Sequence, residues 1–156
     1  MSIPIRVGFV GLSATSGWAS KALGPAMFSI KDKYHLVALS TSSESSASAA
    51  AEKYSEVVGH PVKSYSGSTD KISNDPDVDL VVVSVKAPHH YELLLPAIEA
   101  KKAVFIEWPA GCNLTQTVEL AEKAAKHGIR SMVGLQAFQS PVVRKVCQSC
   151  CFDFSG

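Results

Sequence analysis

The sequence predicts an α/β fold of Rossmann type: three layers, with a mainly parallel sheet of about six strands flanked by helices. Three observations predict it. Short β-type runs alternate with helical ones along the chain, the pattern of parallel strands joined by crossover helices. A glycine-bearing turn, Gly11 to Gly17, follows directly on the first apolar run. The β-branched run Asp79-Leu80-Val81-Val82-Val83-Ser84-Val85 is too short and too stiff for a helix, which places it at the centre of the sheet.

In chain order, Ile5 to Val10 reads as the first strand, apolar nearly throughout and bounded by Pro4 and Gly11, as a strand buried on both faces should be. Trp18 to Ile30 has Ala19, Ala22, Leu23, Ala26 and Met27 at helical spacing, with Gly24-Pro25 expected to bend or interrupt it. His35 to Leu39 is a second strand. The alanine-rich segment Ser45 to Tyr54, opened by a serine cluster, is a second helix. Val62 to Tyr65 is a short third strand, and Asp79 to Val85 the fourth. His90 to Ala100 is a helix, Ala103 to Ile106 a strand, Thr115 to His127 a helix closed by Gly128, and Ser131 to Leu135 the sixth strand. Ser140-Pro141 starts a last helix running to about Cys150.

A chain of 156 residues, 46% hydrophobic, is the size of one domain with its own core, and a formal net charge of +1 offers nothing to attract nucleic acid or an anionic membrane. No apolar stretch approaches the roughly 18 residues of a membrane span, and the N-terminus lacks secretory-signal features. The reading is an intracellular, cytoplasmic protein. Cys112 stands alone while Cys147, Cys150 and Cys151 crowd the C-terminal end, without a second pair at metal-site spacing. The sequence therefore assigns no metal site, and Cys147-x-x-Cys150 reads as part of a reduced tail. Residues 1–146 form the expected dinucleotide-binding domain and 147–156 a divergent tail.

The usual dinucleotide fingerprint is G-x-G-x-x-G, in which glycines let backbone amides and the following helix N-terminus approach a diphosphate. Gly11-Leu12-Ser13-Ala14-Thr15-Ser16-Gly17 keeps the first glycine, replaces the second with Ser13 and delays the last. Small Ser13 and Ala14 still admit a phosphate, and Ser13, Thr15 and Ser16 add hydroxyl donors. An empty Rossmann-like turn is the alternative reading. At the end of the second strand, Leu39-Ser40-Thr41-Ser42-Ser43 carries no carboxylate before Glu44, which argues against NAD and leans toward NADP, although no arginine stands there for a 2′-phosphate.

Together with the opening Val7-Gly8-Phe9-Val10-Gly11-Leu12-Ser13-Ala14, three further stretches carry a resemblance: Val82-Val83-Ser84-Val85-Lys86 followed by Pro88-His89-His90-Tyr91-Glu92, Glu107-Trp108-Pro109, and Gly134-Leu135-Gln136 through Ser140-Pro141. They resemble the Gfo/Idh/MocA oxidoreductases, in particular their fungal Gal80-like branch, over about residues 3 to 146. The resemblance implies an N-terminal Rossmann domain that binds NAD(P). It also implies a second α/β domain with the substrate pocket, much of the dimer interface and commonly a catalytic histidine. That second domain has no counterpart in the sequence, so the reading is of a truncated member. Family dehydrogenases carry Glu-Lys-Pro after the fifth strand, with the lysine beside nicotinamide and substrate; Trp108 stands in its place here. The Gal80-like branch shares the tryptophan and includes a galactose-pathway regulator that binds NADP yet acts through protein contacts.

Ligands of open α/β sheets bind at the carboxyl ends of the strands, where Lys86, His89, His90, Glu107 and Gln136 are expected to gather. Lys86 reads as a base or cation donor, or as a solvated lysine; His90 as an acid or base, or as a helix cap. Glu107 reads as an acid or as an acceptor of loop amides. Lys86, His90 and Glu107 are thus the candidate catalytic residues. Gly11, Ser13, Ala14, Ser16, Gly17, Thr41, Lys86, Glu107 and Trp108 are the candidate cofactor contacts. His35, His60 and His127 have no assigned role.

Three functions compete: a truncated NAD(P)-binding oxidoreductase-family protein of fungal secondary metabolism; a cofactor-independent small enzyme (isomerase, cyclase or lyase) using the strand-end pocket; and a non-catalytic Gal80-like regulatory or binding protein. Each takes a small-molecule ligand. The apolar residues Phe138, Val142, Val143 and Val146, with Phe152 and Phe154 of the tail, point to a homodimer.

Overall fold

A computed structural model describes residues 3–149. Cys150, Cys151, Phe152 and Phe154, which the sequence reading places in the tail, lie outside the described residues. Six strands, β1 (Ile5–Val10), β2 (Tyr34–Thr41), β3 (Lys63–Ser66), β4 (Leu80–Val83), β5 (Ala103–Glu107) and β6 (Ser131–Gly134), form one sheet in the order β3-β2-β1-β4-β5-β6. Every neighbouring pair is parallel. The chain runs outward from β1 to β3, then returns to the other side at β4, so the order reverses between β1 and β4 and opens a crevice at their carboxyl ends.

The connecting helices are α1 (Gly24–Phe28), α2 (Glu44–Val58), α3 (Asp70–Ser73), α4 (His90–Glu99) and α5 (Leu114–His127), and α6 (Pro141–Ser149) follows β6. Most element ends follow local chemistry. Ser43 caps α2 by accepting from the Ser46 amide, and Asn113 does the same for α5 with Gln116. The expected helix Trp18 to Ile30 is interrupted where the sequence warned: a π-helical turn, Ala19–Leu23, gives way at Gly24-Pro25 to α1. Pro25 has no N–H to continue the ladder, and the Gly24 amide reaches back five residues to Ala19. The short α3 has no precedent in the sequence reading, because one helical turn leaves no periodic signal.

Two apolar layers sandwich the sheet. One packs Ala47, Ala50 and Tyr54 of α2 against Val7, Phe9, Leu36 and Leu39; the other packs Leu94, Ala97 and Ile98 of α4 and Leu120 of α5 against Val81, Val83, Val104 and Ile106. The first layer is incomplete. Phe9, Val82, Phe105 and Met132 are register neighbours across β1, β4, β5 and β6, yet exposure climbs along that row from 1% at Phe9 to 62% at Met132. No helix of the described residues is long and apolar enough to cross a membrane.

Polar bonds fasten the opposite, amino-terminal end of the sheet. The buried Asp75 carboxylate accepts from Lys63 Nζ (3.0 Å to both oxygens), from the Tyr65 hydroxyl (3.0 Å) and from the Asp77 amide (2.9 Å). Lys102 Nζ donates to the carbonyls of Asp75 and Val78 (2.9 and 2.7 Å), and Arg6 pairs with Asp79 at 2.7 Å. The network ties β1, β3, β4 and the start of β5. Burial pushes Asp75 up, but the Asp77 amide, the Lys63 ammonium and the Tyr65 hydroxyl outweigh it and hold the group below the usual carboxylate range.

In the unfolded chain Asp75 titrates near the ordinary value of about 4, so its stabilisation is complete above that pH and is lost as pH falls through the depressed folded value. Asp75→Asn is expected to lower unfolding free energy by about 2 kcal/mol at pH 7. Urea titrations of both proteins should show that difference shrinking below pH 4; a difference independent of pH would refute the assignment.

Candidate functional site

The crevice is built first by a turn that only glycine can make. Gly11 has φ of +93°, and a Cβ there would lie 2.1 Å from the Ser84 carbonyl oxygen. Leu12 is fully buried and anchors the loop. From α2, the Tyr54 hydroxyl donates to the Ser13 carbonyl (2.9 Å), 41 residues away in sequence, and Lys53 Nζ donates to the Ala14 carbonyl (2.6 Å), 39 residues away. Ser13 Oγ accepts from the Thr15 amide at 3.3 Å. The amides of Ser13, Ala14, Ser16 and Gly17 have no acceptor among the described residues. Gly17 also takes a positive φ, +114°, before the π-helical turn.

On the β2 side of the crevice, Thr41 ends the strand, and its hydroxyl donates to the Ser43 carbonyl (3.1 Å). Ser43 is engaged as the cap of α2 and Ser42 is exposed. The first carboxylate after the strand is Glu44, inside the helix.

On the other side, the Ser84 hydroxyl donates to Glu107 Oε2 at 2.9 Å. Glu107 Oε1 is buried and has no partner among the described residues. Trp108 follows, 69% exposed, joined to Pro109 by a cis peptide. Beneath this lip His90 is 1% exposed, with Nδ1 2.7 Å from the Pro109 carbonyl oxygen and Nε2 3.0 Å from that of Val85. His90 thus staples the turn after β4 to the loop after β5. Both ring nitrogens face backbone, which leaves none for a ligand in the mouth.

The other expected residues divide. Lys86 is exposed on the turn after β4, at the rim. His89 is turned to the surface, 2.8 Å from Glu92. With its amide oriented to satisfy both neighbours, Gln136 donates to the Gly134 carbonyl (2.9 Å) and accepts from Trp18 Nε1 (3.2 Å), joining the glycine loop to the end of β6. Sequence reasoning missed Ser84, Lys53, Tyr54 and Trp18. Ser84 had a signal, a lone hydroxyl in a β-branched run; the two α2 residues had none, since only folding brings them to the loop. Among the described residues no cluster of His, Cys, Asp or Glu could hold a metal.

Residues 5–135 match the Gfo/Idh/MocA family, described as an oxidoreductase family with an NAD-binding Rossmann fold. The chain belongs to that family. Dehydrogenase aclE of Aspergillus oryzae is 41% identical to it over 149 residues, 94% of this chain and 40% of that protein. The crystal structure of a super-repressor mutant of Gal80p from Saccharomyces cerevisiae superposes with a TM-score of 0.83 at 26% identity, covering 94% of this chain and 38% of the other. KijD10, a 3-ketoreductase from Actinomadura kijaniata solved with NADP and TDP-benzene, gives 0.77 at 26% identity, covering 95% and 42%. The chain spans about two fifths of the length of these Gfo/Idh/MocA relatives.

Gly11→Ala must either move the Ser84 carbonyl or leave the left-handed backbone region. It is expected to lower unfolding free energy by at least about 2 kcal/mol. An unchanged urea midpoint would show that the β1 and β4 ends separate freely.

Proposed function

We propose that this domain binds NADP(H) in the β1–β4 crevice, with the diphosphate over the Gly11–Gly17 loop and the nicotinamide end toward Glu107. The observation that carries the reading is Glu107 Oε1, a buried carboxylate oxygen with no partner among the described residues. Buried polar atoms are rarely left unpaired, and an acceptor held at the end of β5 by Ser84 suits a ribose hydroxyl or a carboxamide N–H. The glycine cradle and the free amides of Ser13, Ala14, Ser16 and Gly17 supply the donors that a diphosphate needs.

The choice of NADP rests on the end of β2, where Thr41 and Ser42 stand in place of the acid that would accept from an unphosphorylated ribose. The NADP bound by the related KijD10 favours the same choice. Bound there, the nicotinamide would supply hydride chemistry. The protein's part is to hold and orient: Glu107 accepts, Lys86 sets a positive rim, and Trp108 offers a flat apolar wall. An indole carries no transferable proton at neutral pH, so position 108 moves none.

That substitution favours a second reading, a nucleotide-responsive binding protein of the Gal80 kind, with exposed Trp108 as a contact rather than a catalyst. The likeness to dehydrogenase aclE favours an enzyme. The redox-neutral reading loses one of its three proton carriers, because both nitrogens of His90 face carbonyls.

Calorimetric titration with NADPH, NADP, NADH and NAD tests the proposal. NADP(H) should bind more tightly than NAD(H), and Glu107→Gln should weaken NADP(H) about tenfold, the loss of roughly one charge-assisted hydrogen bond. Absence of binding at millimolar NADPH would overturn it.

A further inference from the structure

Parallel sheets in α/β proteins are covered on both faces. Here α4 and α5 cover one face of β4, β5 and β6, while the other face carries an open groove of about 960 Å³. Its floor is Leu80, Val82, Phe105 and Met132, and its wall is Met27 and Ile30. Among the described residues the only charged groups on its rim are Asp79, already paired with Arg6, and Arg130.

The same chain carries an element that matches this groove. Helical spacing puts Val142, Val143, Val146 and Cys147 of α6 on one face, and Arg144, Lys145 and Gln148 on the other. No residue of α6 is buried; Val142 is 71% and Val146 55% exposed. A nine-residue helix is not stable in water without tertiary packing. Its own sheet does not supply that packing: no α6 residue lines the groove, and α6 packs against the 3₁₀ turn Gln136–Gln139. That connection is closed by its own bonds, from the Phe138 amide to Leu135, the Ser140 amide to Ala137 and the Arg144 amide to Ser140 (2.9, 3.0 and 2.9 Å). It presents the helix outward.

We propose that α6 of one copy lies in the sheet-face groove of a second copy, and the reverse, making a two-fold dimer by exchange of helices. A two-fold axis fills both grooves with one kind of contact. The dimensions agree: nine helical residues span about 13 Å, as do the four residues of β4 or β6. The apolar stripe then meets an uncharged floor, and Arg144 and Lys145 stay in water. This inference does not depend on the cofactor.

Light scattering after gel filtration of the full chain tests it. The wild type is expected at twice the chain mass. Val146→Asp on the helix and Met132→Asp on the groove floor should each give the monomer mass with unchanged far-ultraviolet circular dichroism; both residues are exposed within one copy, so neither change should disturb the domain itself. Mixing the two variants should restore a dimer with half the mutual contacts, since the intact helix of one meets the intact groove of the other. A wild-type monomer at hundred-micromolar concentration would overturn the proposal, leaving the groove to the chain's own helix or to further polypeptide. A dimer indifferent to Met132→Asp would overturn it equally.

Discussion

No side chain larger than hydrogen fits at position 11, because the Ser84 carbonyl presses on the place a Cβ would occupy. That approach sets how closely the ends of β1 and β4 meet, and hence the floor of the crevice. Ser84 acts a second time through its hydroxyl, which holds the Glu107 carboxylate at the end of β5. One residue therefore fixes the glycine turn on one side and the acceptor on the other. The pieces of the site that sequence shows separately, the loop and the Glu-Trp-Pro element, share Ser84 as their common support.

The two ends of the sheet use polar groups in opposite ways. At the amino end, Asp75, Lys63, Tyr65, Lys102, Arg6 and Asp79 find partners within the chain, which gives cohesion and little capacity for a ligand. At the carboxyl end, Glu107 Oε1 and four loop amides lack acceptors or donors among the described residues. Unmet hydrogen-bonding capacity is what a polar ligand requires, and it lies at the carboxyl ends of the strands where their order reverses. His90 shows that nearness to a site does not confer a chemical role: its ring holds two loops in place and presents no nitrogen to the mouth.

The row whose exposure climbs from Phe9 to Met132 belongs to a different physical problem. A parallel sheet that leaves one half-face open, beside an amphipathic helix with no buried residue, offers within one chain the two surfaces that the proposed contact needs. The proposed nucleotide site and the proposed contact surface occupy different parts of the sheet, the first at the carboxyl ends of β1 and β4, the second across the face of β4, β5 and β6. A second copy seated on that face would leave the crevice open.

Alternation of apolar runs with helical spacing, Gly11 after a buried strand, and Gly24-Pro25 inside a helical pattern determined the fold class, the six strands and the interrupted first helix. Those signals are local, and steric preference acts at short range. Strand ends proved less legible: β2 runs on through Ser40 and Thr41, because pairing with β1 and β3 extends it beyond its apolar stretch. In the site, glycine and carboxylate could be named from the sequence, but not their state. Whether Glu107 was satisfied, whether His90 faced the mouth, and that Lys53 and Tyr54 clamp a loop about forty residues away depended on where distant segments met. The sequence by itself determined which residue types line the strand ends, since those follow from the order of elements. Only the tertiary structure decided which of their polar atoms are left without a partner, because that depends on hydrogen-bond geometry across elements that the chain brings together only by folding.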